Sequence, residues 1–472
     1  MMISVRYGFC SQFGERSQFK CRKKSAAWVL YTILALTVLL FQLVLQGRVT
    51  SVFADSLTCQ PATVPVALSE NQPASYHIKG TLCWQNRLQG KTVQLLVHGF
   101  TYNRVYWDFT LPSDSVTYSY MQHVVTAGYA TFALDLLGAG ASDHPPAPDV
   151  TMDTNAYSIF QVIQALRSGS IGGNPFSKVI LVAHSAGSDT SLLEGARYGG
   201  VDGLIITGLL HELSPLGIAH LGGTLIPAQL DSQFQNSNLP LGYVTTRPGT
   251  RASSFFNVAD TDSAVIQQDE VDKDVGADGQ VATFGDGLEP LVSLRLQVPV
   301  LLAVGEDDAF LCTITLSCVS SSDILVREQS FYGSQTCLEA FVLANAGHDI
   351  NLHLNSNLWY DSAIDWSNRR VGSSSEQSPT QPCDRNLVTK PLSERRELSI
   401  LQLLSMGQRM RTNGQGTTIL ARLFRPTHQG HQRAKTHRRY GSRPADHAVT
   451  LGKRNQQTTR GTPSSVAPCA TA

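Results

Sequence analysis

The residues with the clearest chemical meaning form the run Ala183-His184-Ser185-Ala186-Gly187, between an apolar strand-like run and a helix-like stretch. A serine hydroxyl is a weak nucleophile unless it is exposed and has a base beside it. A sharp turn from strand to helix exposes the side chain, and it needs small residues two positions before and after the serine. Ala183 and Gly187 meet that need. The pattern predicts Ser185 as a nucleophile, with tight packing of small residues as the structural alternative.

A serine nucleophile needs a general base and an acid that orients the base, and both are expected downstream of the serine. His348 follows the apolar run LEAFVLAN, and the neighbours Asp307 and Asp308 follow the run PVLLAV. Both positions fall at the ends of predicted strands, at the sheet edge that would also carry Ser185. We predict His348 as the base and Asp308 as the orienting acid, with Asp307 as the competing acid. His184 flanks the nucleophile and is expected to be structural.

Negative charge that develops on an acyl oxygen is usually stabilised by two backbone N–H donors. The predicted donors are Ala186, directly after the serine, and Phe100, which follows a glycine that lets the backbone approach closely. Three aromatic residues on the same loop are predicted to line an apolar acyl or alcohol pocket, with ordinary packing as an equal alternative: Tyr102, Tyr106 and Trp107.

Buried strands alternating with helices are needed to position these residues. Apolar runs predict strands at 75–84, 93–99, 130–138, 178–184, 203–210, 299–304 and 337–343. Helical spacing predicts helices near 115–127, 155–167 and 186–198. This order predicts an α/β fold with a mostly parallel central sheet and helices on both faces.

The sequence divides into three predicted parts. Residues 1–54 carry a basic cluster and an apolar run from 26 to about 46, which predicts a signal peptide or a signal-anchor. Residues 55–370 form the predicted catalytic domain. Within it, residues 212–290 break the strand and helix rhythm and are predicted to be a lid over the strand ends. Residues 371–472 have low complexity and are predicted to be a disordered, basic tail.

Charge and cysteine usage limit the function classes. The net charge is +0, but residues 55–370 hold 31 acidic and 14 basic residues. This acidic balance gives little support for nucleic-acid binding. In an oxidising compartment, Cys59 is expected to pair with Cys83, and Cys312 with Cys318 or Cys337. The cysteines and histidines lack zinc-ligand spacing, so we expect no metal and no other cofactor. The sequence leaves the oligomeric state open.

Five sequence blocks in a fixed order resemble the α/β-hydrolase superfamily, in the branch with an HG loop: LLVHGF, LDLLGAGASD, VILVAHSAGS, VPVLLAVGEDD and LANAGHDINLH. The resemblance runs from about Lys91 to Asn351 and is interrupted by the predicted lid. The signal, the cysteines and the lid resemble secreted fungal or actinobacterial members. Ala183 departs from the pattern, since the family usually has glycine there.

The resemblance implies a Ser–His–Asp triad at Ser185, His348 and Asp308, an oxyanion hole from Phe100 and Ala186, and no cofactor. It implies a carboxylic-ester hydrolase, esterase-like or lipase-like, that forms an acyl-enzyme with a small apolar ester. The serine argues against the haloalkane dehalogenase and epoxide hydrolase branches, which use an aspartate nucleophile.

Two other functions remain as alternatives: a non-catalytic homologue that binds a small ligand, and a C–C or amide hydrolase with the same triad. The predicted location is the secretory pathway. The protein would be secreted, or anchored through residues 26–46 with the catalytic domain outside the cytoplasm.

Overall fold

The structure is a computed structural model that describes residues 57–111 and 117–383, together with Leu34, Ala35 and Thr37. The rest of the predicted signal or anchor, and the predicted tail after residue 383, lie outside the described residues. Among the helices of the described part, none is long and apolar enough to cross a membrane.

The described residues form strands β1 (Leu57–Val66), β2 (Tyr76–Gln85), β3 (Val93–Val97), β4 (Phe109–Thr110), β5 (Thr117–Tyr118), β6 (Ala130–Asp135), β7 (Val179–His184), β8 (Gly203–Thr207), β9 (Leu225–Pro227), β10 (Tyr243–Thr246), β11 (Gly276–Ala277), β12 (Val300–Gly305) and β13 (Glu339–Leu343). Eight of them make one central sheet in the order β1-β2-β6-β3-β7-β8-β12-β13. Strands β1, β2 and β6 pair antiparallel, and the pairs from β6 to β13 are parallel.

The α-helices of the described residues are α1 (Tyr120–Thr126), α2 (Met152–Ser168), α3 (Ala186–Arg197), α4 (Pro215–Thr224), α5 (Arg251–Phe255), α6 (Ser263–Asp272), α7 (Asp278–Thr283), α8 (Pro290–Ser293), α9 (Ser321–Glu328) and α10 (Asn357–Arg370). Helix α2 packs on α3, and α1 packs on α10. Every residue of β3, β6, β7, β8 and β12 is buried, as expected for strands covered by helices on both faces. The predicted α/β fold with a mostly parallel sheet is therefore confirmed.

The segment between β8 and β12, predicted as a lid, has secondary structure of its own. Strands β9, β10 and β11 form a separate antiparallel sheet. A small apolar core lies beneath it, where Tyr243 and Ala228 are buried with Ala147 and Val150 of the main domain. The start of α4 packs on the loop after β12, because a Cβ added at Gly217 would meet the backbone of Ala309.

Three disulfides join parts of the described chain. Cys59 pairs with Cys83 across β1 and β2, as predicted, and Cys312 pairs with Cys318, one of the two predicted alternatives. The third bond, Cys337–Cys383, was not predicted. Disulfides persist in oxidising compartments, so they are typical of a protein that folds outside the cytoplasm.

The packed domain extends beyond residue 370, where the sequence analysis placed the start of the tail. The Thr92 N–H donates to Ser373 O at 2.9 Å, and Lys178 Nζ donates to the backbone oxygens of Val371, Ser374 and Gln377. Residues 371–383 therefore form a strap on the domain, closed by the disulfide at its end.

Candidate active site

Ser185 occupies the turn between β7 and α3, with φ of 53° and ψ of −121°. A positive φ is uncommon for a residue with a side chain and stores local strain. The Ser185 N–H donates to Thr207 O on β8 at 2.8 Å, and Ser185 O accepts from the Ser188 N–H at 2.9 Å. These bonds hold the turn, and the Ser185 side chain remains partly exposed at the end of the strand. Such a turn is the arrangement that presents a serine hydroxyl to a substrate.

Small residues allow two backbone segments to pass directly beside this turn. A Cβ added at Gly187 would collide with the His98 carbonyl oxygen, and a Cβ added at Gly99 would lie 3.1 Å from Ser185 Cβ. Ala183 is fully buried on β7. The loop after β3 therefore runs directly beside the serine.

His98 orients the peptide that follows it. Its Nε2 accepts the Leu136 N–H at 3.0 Å. The neutral ring therefore carries its proton on Nδ1, which donates to Gly99 O at 2.8 Å. Burial lowers the pKa of His98 and favours this neutral form. Since the C=O and N–H of a trans peptide point in opposite directions, the Phe100 N–H faces away from the His98 ring.

The two predicted oxyanion donors are both available. Among the described residues, no protein acceptor is bonded to the backbone N–H of Phe100 or of Ala186. Ala186 is also the first residue of α3, where the positive end of the helix dipole favours a developing negative charge. These two N–H groups lie on Ala186, directly after Ser185, and on the loop that approaches Ser185, and their role in catalysis stays a prediction.

His348 and Asp308 form a buried pair on the loops after β13 and β12. His348 Nδ1 lies 2.8 Å from Asp308 Oδ2, and Asp308 Oδ1 accepts the Phe310 N–H at 2.9 Å. With its proton donated to Asp308, the neutral imidazole presents Nε2 as its acceptor. Nε2 is buried and has no hydrogen-bond partner among the described residues.

The pKa of His348 is raised although the ring is buried. Burial by itself lowers it, because the charged imidazolium loses water. The negative charge of Asp308, its hydrogen bond to the ring, and the charge of Asp349 outweigh that effect. The site therefore favours proton uptake by His348, which is what a general base requires.

Ser185 and His348 come together around Gly208. The Ser185 N–H is bonded to Thr207, and a Cβ added at the next residue, Gly208, would lie 3.0 Å from His348 Cε1. The described residues show no hydrogen bond between the Ser185 hydroxyl and His348 Nε2. In unliganded enzymes this bond is often long and tightens only when substrate binds. The structure thus brings the serine and the imidazole to one edge of the sheet.

Asp307, the competing acid, lies elsewhere on the same loop. Its side chain is exposed, and its Oδ2 accepts the Asn257 Nδ2–H at 2.8 Å. Of the two neighbouring aspartates, Asp308 contacts His348. Both aspartates lie in the turn that follows β12, where the Asp308 N–H is 3.4 Å from Gly305 O, and only the Asp308 side chain is buried.

A second histidine–carboxylate pair, which the sequence analysis missed, lies next to the first. His184 Nε2 is 3.1 Å from Asp349 Oδ1, and both side chains are fully buried. Asp349 Oδ2 also accepts a short hydrogen bond from the Tyr102 hydroxyl. The ring centroids of His184 and His348 are 4.8 Å apart. The signal in the sequence is the acidic residue directly after His348.

A buried arginine from the segment between β8 and β12 supports this pair. Arg251 binds Asp269 through two nitrogens, at 2.6 Å and 3.0 Å. Its guanidinium carbon lies 4.3 Å from the centre of the Tyr102 ring and 4.8 Å from that of Phe255. A cation over an aromatic face is stabilising when both are desolvated. Arg251 therefore fixes the ring whose hydroxyl binds Asp349.

His184, His348 and Asp349 each offer one atom of a type that binds metals, and these three atoms lie within 4.8 Å of one another. However, His184 Nε2 and Asp349 Oδ1 already bond to each other, and His348 Nδ1 is bonded to Asp308. A metal would have to replace the first of these bonds. The contacts that these residues make are those of a hydrogen-bond network.

The three aromatic residues predicted to line a pocket are all buried. Tyr106 stacks on the ring of His184 with centroids 4.5 Å apart, and Trp107 meets Tyr106 edge to face at 5.1 Å. Tyr102 meets Phe255 edge to face at 5.7 Å. These contacts support His184 from behind, and a role in substrate binding stays a prediction.

The parallel sheet, with a serine at a strand-to-helix turn and a buried His–Asp pair, is typical of an α/β hydrolase. A comparison with protein-family models agrees with this class. The model of the Alpha/beta hydrolase family matches residues 94–356, a range that includes Ser185, Asp308 and His348. The chain belongs to this family. A search of curated proteins found no match.

Solved structures of hydrolases are similar in fold at low sequence identity. A soluble variant of monoglyceride lipase from Saccharomyces cerevisiae is 16% identical, with 65% of this chain and 95% of that chain covered and a TM-score of 0.44. Monoacylglycerol lipase from Paleococcus ferrophilus is 15% identical, with 62% of this chain and 98% of that chain covered and a TM-score of 0.39. E-2-(Acetamidomethylene)succinate hydrolase is 15% identical, with 65% of this chain and 98% of that chain covered and a TM-score of 0.43.

Proposed function

We propose that this protein is a serine hydrolase that cleaves carboxylic esters, with Ser185 as nucleophile, His348 as base and Asp308 as orienting acid. The supporting observation is the 2.8 Å bond between His348 Nδ1 and Asp308 Oδ2, which leaves Nε2 as the unoccupied acceptor. That nitrogen lies at the sheet edge that carries the strained turn of Ser185.

In this reaction, His348 Nε2 takes the hydroxyl proton while Ser185 Oγ attacks the ester carbonyl carbon. The carbonyl oxygen becomes an oxyanion, which the Phe100 and Ala186 N–H groups stabilise. The C–O bond then breaks, and the alkoxide leaves as an alcohol with the proton from His348. Water repeats the sequence on the acyl-enzyme, releases the acid and restores the serine.

We further propose that the apolar part of the ester binds between this edge of the sheet and the lid predicted at residues 212–290. Tyr102 supports this placement, because it lies between the site and Arg251 of that segment. Tyr106 and Trp107 would shape the floor of the pocket through their contacts with His184. The substrate in this proposal is a small, apolar ester.

Covalent labelling tests the nucleophile. A fluorophosphonate probe forms a bond from phosphorus to Ser185 Oγ with loss of fluoride, so the folded wild-type protein should be labelled and Ser185→Ala should not. Peptide mass spectrometry should locate the label at residue 185. If folded wild-type protein stays unlabelled, the protein is a ligand-binding homologue and the proposal fails.

A substrate panel then tests the reaction class. Matched p-nitrophenyl esters and p-nitroanilides of the same acyl groups separate ester from amide hydrolysis, and Ser185→Ala supplies the background for each. The proposal predicts a larger kcat/KM for the esters. A protein that is labelled but prefers amides, or cleaves neither series, would be a hydrolase of another class.

We also propose that the domain is exported, and is either secreted or held at a membrane through residues 26–46. The three disulfides support an oxidising location. Determination of the N-terminal residue of the mature protein distinguishes a cleaved signal from a retained anchor.

A further inference from the structure

The carboxylate of Asp349 is a charged group of the site that the proposed mechanism does not use. It is fully buried, with Oδ1 3.1 Å from His184 Nε2 and Oδ2 bound by the Tyr102 hydroxyl. A buried carboxylate is costly unless hydrogen bonds stabilise it. Both of its oxygens have a polar partner, which is what retention of a charge at this buried position requires.

His184 connects this carboxylate to the base. One nitrogen or oxygen atom each from His184, His348 and Asp349 lie within 4.8 Å of one another, and the two imidazole ring centroids are 4.8 Å apart. Phe310 meets the His348 ring edge to face at 4.6 Å. The base is therefore held among the His184 ring, an aromatic edge and two carboxyl groups, of which only Asp308 bonds to it directly.

We propose that Asp349 is a positioning residue for His348, which holds the His184 ring against the base and places a second negative charge beside the imidazole. This inference rests on the proposed function, because it assigns Asp349 a role in the basicity of the proposed base.

The proposed role requires a particular arrangement of the protons in this network. Burial lowers the pKa of His184 well below its usual value, so this ring is neutral and carries one proton. The Thr207 hydroxyl lies 3.0 Å from both His184 Nδ1 and Ala183 O, and its single proton can be donated to only one of them. In the proposed arrangement this proton is donated to Nδ1, so the ring proton is on Nε2 and is donated to Asp349 Oδ1, 3.1 Å away. Asp349 then accepts from both neighbours and carries the negative charge.

The groups around Asp349 offset part of the cost of burying this charge. The pKa of Asp349 is raised, because the effect of burial is larger than the opposing effects of His348, the bond from Tyr102, Arg251 and His353. His353 Nδ1 donates to the Asp349 backbone oxygen at 2.9 Å.

The negative charges that face His348 come from the carboxyl groups of Asp308 and Asp349. As described above, burial lowers its pKa, and Asp308 and Asp349 raise it. Asp269 neutralises Arg251 on the far side of Tyr102. Removal of the charge of Asp349 should therefore make His348 a weaker base.

The variant Asp349→Asn tests this directly, because the amide keeps the shape of the carboxyl group and loses the charge. Its oxygen can accept from Tyr102, while its N–H donates to His184 once the ring proton moves to Nδ1. We expect the acidic limb of kcat/KM against pH to move to lower pH by about half a unit to one unit. The titration of the His348 ring followed by NMR should move in the same direction.

Asp231→Asn is the matched control. Asp231 is also buried and ion-paired, to Lys273, but has no bond to the loops that carry His184, His348 or Asp349. The acidic limb of kcat/KM against pH should be the same in Asp231→Asn as in the wild type. A folded, phosphonate-labelled Asp349→Asn variant with an unchanged limb would overturn the inference.

A second variant keeps the test decisive if Asp349→Asn does not fold. Tyr102→Phe removes one donor from the carboxylate, so Asp349 protonates more readily and the limb should again move to lower pH, by less. An unchanged limb in Tyr102→Phe would also count against the inference. If the wild type neither labels nor hydrolyses esters, the proposed function fails, whereas the NMR titration of His348 still tests the role of Asp349.

Discussion

Ser293 Oγ lies 2.8 Å from Nε2 of His211, a contact that joins the end of the segment between β8 and β12 to its beginning. Nδ1 of His211 lies 2.6 Å from Glu328 Oε2 on α9. The three side chains repeat the residue types of a Ser–His–Glu triad. However, Ser293 is fully buried and its hydroxyl donates to Phe331 O at 2.8 Å, so it is not available as a nucleophile. The arrangement fastens the two ends of the segment.

Replacement of Glu328 should therefore weaken the contact between the two ends of this segment and lower the stability of the fold. Glu328→Ala leaves both the His211 backbone N–H and its Nδ1 without an acceptor. We expect the free energy of unfolding to fall by about 3 kcal/mol, as measured by urea denaturation. Ser293→Ala removes one hydroxyl and should cost about 1 kcal/mol. Equal stability of Glu328→Ala and wild type would contradict the fastening role.

The neighbouring aspartates after β12 provide a matched pair for the proposed acid. Asp308→Asn keeps the shape of the side chain, but its amide favours the His348 tautomer with the proton on Nε2, which cannot act as a base. We therefore expect kcat to fall by about three to four orders of magnitude. Asp307→Asn alters an exposed side chain and should leave kcat near the wild-type value. Steady-state ester hydrolysis checks both. The reverse ranking would make Asp307 the acid.

The close approach of Gly99 to Ser185 can be tested with alanine. A methyl group at Gly99 would be 3.1 Å from Ser185 Cβ and from His184 Cδ2, so the loop that carries the Phe100 N–H must shift. We expect kcat/KM to fall at least about tenfold.

Gly222 on α4 is the control for this substitution, since no atom would lie within 4 Å of its Cβ. Gly222→Ala should leave activity unchanged and alter stability by less than about 1 kcal/mol. Full activity in Gly99→Ala would show that activity does not depend on the close approach of this loop to Ser185.

His353 makes stability depend on pH. Its Nε2 accepts the N–H groups of Gly347 at 2.9 Å and Asn257 at 3.1 Å, and burial lowers its pKa. The folded state thus resists a proton that the unfolded chain accepts below about pH 6.5. Stability should fall as pH decreases through that value and level off below the folded pKa.

The variant His353→Gln isolates this contribution, because an amide oxygen can accept both N–H groups and does not titrate near neutral pH. Thermal unfolding between pH 7.5 and 5 should show a smaller loss in the variant than in the wild type. Parallel curves would mean that His353 does not supply the pH dependence.

The sequence predicted the core strands closely because their burial on both faces produces continuous apolar runs. Strand β7 begins one residue after the predicted start, and β12 is displaced by one residue. Strand β1 was missed, since it is a mostly exposed edge strand that contains Pro61 and Pro65. Proline is tolerated at a sheet edge but masks the strand pattern.

The residues around the base were harder to predict for a different reason. Ser185, Asp308 and His348 follow strands whose positions were clear, so their convergence could be inferred from the sheet. Arg251 and Asp269 lie in a segment with no regular apolar pattern, and their pairing depends on packing between distant parts of the chain.

Helix α2 begins at Met152, where Thr151 provides the cap, although a later start was predicted.

The segment from Phe255 to Asn257 is bonded to the loop of His348. Phe255 O accepts the Asp349 N–H at 3.1 Å, and His353 binds the Asn257 N–H. This part of the insertion acts as a fixed wall that holds the imidazole in place. Mutagenesis aimed at the range of accepted substrates should therefore spare residues 251–257 and Asp269, which binds Arg251, and vary other positions of the insertion.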